Sequence, residues 1–135
     1  RLLETFRPEM IGIGPFIPHP DTPLGSFPAG SAAMTLRLCS ILRLMHPSAL
    51  IPATTALSTL LPDGRKAGIL AGANVIMPNF TPSTRRAAYA LYEGKASPAI
   101  ESEENLGRLE SELLSIGRTI RPVRGDYIEK THLTS

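Results

Sequence analysis

Apolar positions along this chain switch between the spacing of helices and short continuous runs. Leu2, Leu3 and Phe6 share one face of a helical turn that Arg7-Pro8 breaks. Met10, Ile11 and Ile13 predict a short buried strand, in which Gly12 and Gly14 leave room for close backbone approach. Pro15, Pro18, Pro20 and Pro23 then forbid further ladder or helix pairing and hold the exit as a stiff loop. Taken alone, the stretch from Glu9 to Leu24 reads slightly more as a proline-rich connector than as the rim of a site.

Beyond the loop the period becomes helical. Ser31 predicts an N-cap, and Met34, Leu38, Ile41, Leu42 and Met45 recur at helical spacing, so a helix is expected from about Ala32 to Met45, stopping before His46-Pro47. Met34 and Met45 read as core packing. Leu50 to Thr54 predicts a second strand, and Leu57 to Leu61 is equally compatible with loop or helix start. Pro62-Asp63-Gly64 is turn chemistry or a proline near a helix start, and Arg65 to Ala71 reads as a helix closed by Gly72. Asn74 to Met77 predicts a third strand ending at Pro78-Asn79, followed by a helix that carries Arg85, Arg86, Tyr89 and Tyr92.

Short apolar strands, each followed by a polar or proline-bearing loop and then a helix, predict parallel βα units. The spacing suits either a (β/α) barrel or a doubly wound sheet. Gly12-x-Gly14 is followed by Ile17 where a dinucleotide turn needs its third glycine, which argues against that site. After Gly94 the texture becomes acidic and polar. Leu109, Leu113 and Ile116 then form a narrow helical stripe suited to packing on the preceding body, and Arg118 to Ser135 reads as an extended arm with a frayed end.

A chain of 135 residues is the size of one domain. The net charge of +2 and the scattered basic residues give no support to nucleic-acid or membrane binding. No apolar run reaches the roughly 18 residues of a spanning helix, and no signal-peptide pattern opens the chain, so a cytoplasmic location is the expectation. Cys39 is the single cysteine, which excludes an internal disulfide and cannot alone hold zinc or an iron–sulfur cluster. It is expected to pack as a small apolar residue. The chain opens on Arg1, in what reads as a helix already under way, and so is expected to be N-terminally incomplete.

Chemistry in parallel βα folds gathers at the carboxyl ends of strands, here Gly14 to His19, Thr54-Thr55 and Met77 to Asn79. These ends offer hydroxyls, an amide, an imidazole and a thioether, but neither a carboxylate pair nor a Ser/His/Asp arrangement. His19-x-Asp21 reads as a turn-forming hydrogen bond rather than a dyad. His46 reads as a helix-end cation or surface residue, and three histidines this far apart are a weak metal signal. Met77 could offer its backbone and sulfur to a ligand. Tyr89 and Tyr92 share a helix face, either over the strand ends or packed at the rim.

Met10-Ile-Gly-Ile-Gly-Pro-Phe-Ile-Pro-His-Pro-Asp-Thr-Pro-Leu24, Ile51-Pro-Ala-Thr-Thr-Ala-Leu57, Ala71-Gly-Ala-Asn-Val-Ile-Met-Pro-Asn79 with Thr81-Pro82, and Tyr89-Ala-Leu-Tyr-Glu-Gly-Lys95 together resemble the HydE family. These are the radical S-adenosylmethionine maturases of FeFe-hydrogenase, in the biotin synthase-like branch. The resemblance is close over about residues 1–95 and loose beyond. It implies an α/β fold, the C-terminal part of a (β/α)8 TIM-type barrel. About three βα units would span 1–95, with a helical and extended C-terminal extension at 96–135.

The resemblance further implies a full-length enzyme that uses S-adenosylmethionine and a 4Fe–4S cluster. Its 5′-deoxyadenosyl radical would act on a cysteine-bound iron carbonyl cyanide complex, with HydG and HydF as partner maturases. The cluster cysteines of the family, Cys-x-x-x-Cys-x-x-Cys, have no counterpart here, so metal ligands are expected upstream and this chain alone is expected to be inactive. By motif position Met77 and Tyr89 resemble contacts to S-adenosylmethionine, while Met10, Pro15, Thr54, Thr55 and Tyr92 fall where the family lines its substrate cavity. None is an acid or base. Lys95 to Glu104 lacks cysteines, which predicts no accessory cluster, and Ser58 stands where the family pattern has glycine. Methylornithine synthase or biotin synthase chemistry is the alternative within the architecture, and a non-catalytic fragment or binding module is the alternative outside it. The isolated chain would expose the edge of the Met10 strand and is expected to aggregate or stay partly unfolded.

Overall fold

A computed structural model describes residues 5–77 and 106–128. Within them lie the helices α1 (Ala32–Met45), α2 (Thr55–Leu60), α3 (Gly64–Leu70) and α4 (Leu106–Leu114). The helix expected with Tyr89 and Tyr92 lies outside the described residues.

Helix α1 has the predicted bounds, and the reason is local. The Ser31 hydroxyl accepts from the Met34 N–H at 3.2 Å, satisfying one of the free donors of the first turn. At the other end the His46 N–H closes on the Leu42 carbonyl at 2.8 Å, and Pro47 follows. Arg43 in the last turn donates through Nε to the Gly72 carbonyl at 2.8 Å and through Nη1 to the Pro47 carbonyl at 2.8 Å. One side chain thus caps α1 and ties it to the turn after α3.

The buried face of α1 differs from the expected one. Thr35 and Cys39 are buried and Leu42 packs on the core, whereas Met34, Leu38, Ile41 and Met45 remain exposed. Apolar residues lie on two sides of this helix, so periodicity alone does not select between them. Close packing does, because Cys39 meets the small residues Ala49 and Ala73 beside Ile51. Ile11, Ile13, Ala53, Ile69 and Ala71 pack around that cluster.

Three extended segments, residues 9–13, 49–53 and 73–77, lie side by side and parallel. Met10 pairs with Leu50 and Pro52 with Val75, each as a single-residue bridge, and no longer strand forms among the described residues. The expected strands are therefore present only as parallel pairings, for two chemical reasons. Between the first and second segments the Ile11 N–H donates to the Leu50 carbonyl at 2.9 Å and the Leu50 N–H to the Glu9 carbonyl at 2.8 Å. The next donor in a parallel ladder would be residue 52, and proline has none. Between the second and third, the Asn74 side chain enters the ladder: its Oδ1 accepts from the Ile51 N–H at 2.8 Å. The Ile51 carbonyl in turn accepts from the Asn74 N–H at 2.9 Å and the Val75 N–H at 3.2 Å.

The link from the second segment to the third is two short helices. The ambiguous stretch after Leu57 is the end of α2. Gly72, at φ +118°, closes α3 as expected: its N–H reaches the Ile69 carbonyl at 3.1 Å and the Ala73 N–H the Gly68 carbonyl at 2.9 Å. That is the paired closure which a left-handed residue permits. Gly117 at φ +69° ends α4 in the same way. Leu109 and Leu113 of α4 are buried, as the stripe predicted, and Ile116 is half-buried. Lys66 of α3 pairs with Asp63 at 2.7 Å; that bond holds its ammonium pKa up, and Glu112 of α4 adds to the effect. Residues 118–128 run without regular structure and are mostly exposed.

Cys39 packs as an apolar residue, 2% exposed. Burial raises its thiol pKa above 9.0, against a smaller lowering by the Arg43 charge. The neutral thiol is thus favoured by folding, so this contribution is complete below pH 9.0 and is lost as pH rises through the raised value. We expect native Cys39 to resist iodoacetamide at pH 8 and to react once urea unfolds the protein. Equal alkylation rates with and without urea would contradict the packing.

Candidate functional site

Among the described residues, α1 and α3 pack on one side of the parallel segments. Ile11, Ile13, Ala49, Ile51 and Ala53 pack with α1 and α3. Side chains alternate along an extended chain, so Met10, Gly14, Leu50, Pro52 and Thr54 belong to the opposite side. The pairing of Pro52 with Val75 carries Val75 and Met77 onto that side as well.

The bridges also set levels. Counting four residues on from Met10 and Leu50 reaches Gly14 and Thr54, and two on from Pro52 and Val75 reaches Thr54 and Met77. Gly14, Thr54 and Met77 therefore stand level at the carboxyl ends. The ideal Cβ position of Gly14 lies 3.0 Å from Thr54 Oγ1, which confirms the contact between the first two ends. Met10, opposite Leu50, lies on the same side but roughly 13 Å lower at 3.3 Å per residue. Of the residues singled out in the sequence, Pro15 is buried just beyond Gly14, Thr55 is half-buried at the first position of α2, and Met10 and Met77 are 47% and 58% exposed. Tyr89 and Tyr92 lie outside the described residues.

Thr54 is the distinctive polar group. It occupies the N-cap position of α2, where a threonine hydroxyl ordinarily accepts from the helix backbone, yet it makes no such bond. Its Oγ1 is buried and has no hydrogen-bond partner among the described residues. Such a hydroxyl keeps a hydrogen-bond donor unused, available to an acceptor that reaches it.

The proline loop frames this end. The Gly30 N–H donates to the Phe16 carbonyl at 2.8 Å, bringing the two ends of the loop together. Within it the Thr22 N–H reaches the His19 carbonyl at 3.1 Å and the Asp21 N–H reaches His19 Nδ1 at 3.3 Å. Nδ1 is thus an acceptor, His19 serves the turn, and the reading of His19-x-Asp21 as turn chemistry holds. His46 is half-buried rather than at the surface, with Nε2 buried and unpartnered among the described residues. No group of three or more His, Cys, Asp or Glu side chains among the described residues could hold a metal ion. No helix among them is long and apolar enough to cross a membrane.

Two structural residues escaped sequence reasoning. Asn74 looked like the first residue of a strand, and only its place before Val75 hinted at a side chain serving as a ladder acceptor. Arg43 was visible as a basic residue in a last helical turn, the signal for a C-terminal cap.

No family model matches the chain. The chain is 53% identical over 87 residues to the FeFe hydrogenase maturase subunit HydE of Thermotoga maritima, a match covering 64% of this chain and 25% of that protein. This chain resembles a C-terminal portion of HydE. It is also 34% identical over 93 residues to the 3-methylornithine synthase of Methanosarcina barkeri, covering 69% of this chain and 26% of that enzyme. The 3-methylornithine synthase of Methanosarcina acetivorans is 36% identical over 76 residues, 56% of this chain and 21% of the enzyme. The chain thus spans about a quarter of the length of the curated relatives it matches. HydE-like sequence and parallel pairing of three extended segments linked by helices coincide in this chain.

Proposed function

We propose that these residues are the C-terminal part of a radical S-adenosylmethionine enzyme of FeFe-hydrogenase maturation, built on a (β/α)8 barrel whose interior includes the side carrying Gly14, Thr54 and Met77. The observation that carries this reading is the 53% identity to HydE over 87 residues. In it, Met77 and Tyr89 contact S-adenosylmethionine. Met10, Pro15, Thr54, Thr55 and Tyr92 line the cavity for a cysteine-bound iron carbonyl cyanide complex. HydG and HydF are the partner maturases, and the cytoplasm is the compartment. The division into βα units at 1–95 and an extension at 96–135 belongs to the same reading.

The residues here do not fit a 4Fe–4S cluster: the sequence has one cysteine, and it is sealed in the core. The cluster, whose chemistry is the reductive cleavage of S-adenosylmethionine to a 5′-deoxyadenosyl radical, would be held by polypeptide outside these 135 residues. What this chain contributes is a mostly apolar wall with a hydroxyl at its upper end, which suits a reactive intermediate that must meet few competing groups.

The test is anaerobic reconstitution of the full-length protein with iron and sulfide, followed by dithionite and S-adenosylmethionine. Formation of 5′-deoxyadenosine is expected. An upstream sequence without Cys-x-x-x-Cys-x-x-Cys would sink the reading. The 69% coverage by the Methanosarcina barkeri enzyme favours methylornithine synthesis as the second reading. Formation of 3-methylornithine by the reconstituted protein would establish it.

A further inference from the structure

We infer that Gly14 is a positioning residue, whose missing side chain keeps the Thr54 hydroxyl free for a ligand acceptor atom. This rests on the proposed cavity and adds to it the residue that governs its polar contact. Two observations carry it. Thr54 Oγ1 is buried, lacks a partner among the described residues and does not cap α2. An ideal Cβ on Gly14 would stand 3.0 Å from that oxygen and 3.6 Å from the Cβ atoms of Thr54 and Ala56.

The backbone does not demand glycine at this position. Positive φ occurs at Gly72, Gly117 and Gly125, and Gly14 is not among them. What glycine supplies is space, directly against the hydroxyl. With alanine the nearest atom to yield is Oγ1, which must give way by a few tenths of an ångström and so leaves the direction in which a ligand would meet it. Gly12 gives the contrast two residues earlier, since a Cβ there meets nothing within 4 Å. The group received beside Gly14 is one small acceptor, a carboxylate oxygen or the nitrogen of a metal-bound cyanide, held by one hydrogen bond.

The experiment uses the reconstituted full-length protein with S-adenosylmethionine, titrated with the cysteine-bound iron carbonyl cyanide complex. Gly14→Ala is expected to raise KM about tenfold, as loss of one hydrogen bond to a ligand does. Thr54→Val should give a similar rise, and the double variant no more than either alone, because both changes remove the same contact. Gly12→Ala should stay within about twofold of the parent. Independent, multiplying effects, or equal effects of Gly12→Ala and Gly14→Ala, would overturn the inference. A crystal structure of the Gly14→Ala full-length protein decides it without turnover: Thr54 Oγ1 should be displaced from its present position. An unchanged, still unpartnered hydroxyl would overturn the assignment even if the enzyme proved to act on another substrate. Absence of S-adenosylmethionine cleavage in the parent would instead remove the proposed function and leave this structural arm standing.

Discussion

Gly64→Ala is expected to destabilise the protein by on the order of 3 kcal/mol, at the upper end of overpacking effects. Gly64 is buried at the start of α3, where the chain turns back against α2. An ideal Cβ there would stand 2.3 Å from the Leu57 carbonyl oxygen, 2.6 Å from its carbon and 2.7 Å from the Ser58 nitrogen. All three are backbone atoms inside α2, so no rotamer change relieves the contact, and the two helices must separate. Separation reaches the core, because Leu57 is 2% exposed and its Cδ2 lies 3.3 Å from the Cβ position of Gly68. Urea unfolding of the full-length protein should show the midpoint falling with little change in slope. Gly107→Ala is the matched control: a Cβ at Gly107 in α4 meets nothing within 4 Å, and alanine there should be neutral or stabilising by up to about 1 kcal/mol. Equal stabilities for the two variants would refute the close approach of α2 and α3.

Much of this architecture is legible where a boundary has a chemical cause. Ser31 and His46-Pro47 bracket α1, and Gly72 closes α3, because capping and proline act within a few residues. The orientation of α1 was not legible in the same way. Met34, Leu38, Ile41 and Met45 form as good an apolar stripe as Thr35, Cys39 and Leu42, and the choice was made by small residues on another part of the chain. The strands were recognisable as apolar runs, but their reduction to single bridges depends on what Pro52 lacks and what Asn74 inserts across the ladder.

The same division holds at the candidate site. Gly14, Thr54 and Met77 are legible as strand ends from the prolines and hydroxyls that follow apolar runs, and the parallel pairings set them level. Met10 belongs to the same run as Gly14, yet its level, beside Leu50, follows only from register. Nor does a sequence reveal that Thr54 withholds its hydroxyl from α2. Threonine before a helix predicts a cap, and this departure singles out the group.

Asn74→Ala is expected to cost about 1–3 kcal/mol, although Asn74 itself is exposed. The loss falls on its partner. Ile51 is 0% exposed, and its N–H donates to Asn74 Oδ1 at 2.8 Å, in the place where a regular parallel ladder would offer a carbonyl of the third segment. Alanine removes the acceptor and leaves a backbone donor in the core without one, the costly side of hydrogen-bond energetics. Asn74→Asp retains a side-chain oxygen at the same reach and should cost much less, which separates the hydrogen bond from any general sensitivity of the position. Amide exchange supplies the local readout: the Ile51 N–H should lose protection in the alanine variant and keep it in the aspartate variant. If alanine and aspartate prove equally stable, with Ile51 protected in both, the third segment has re-registered to offer its own carbonyl. The side chain would then not be what joins the second and third segments.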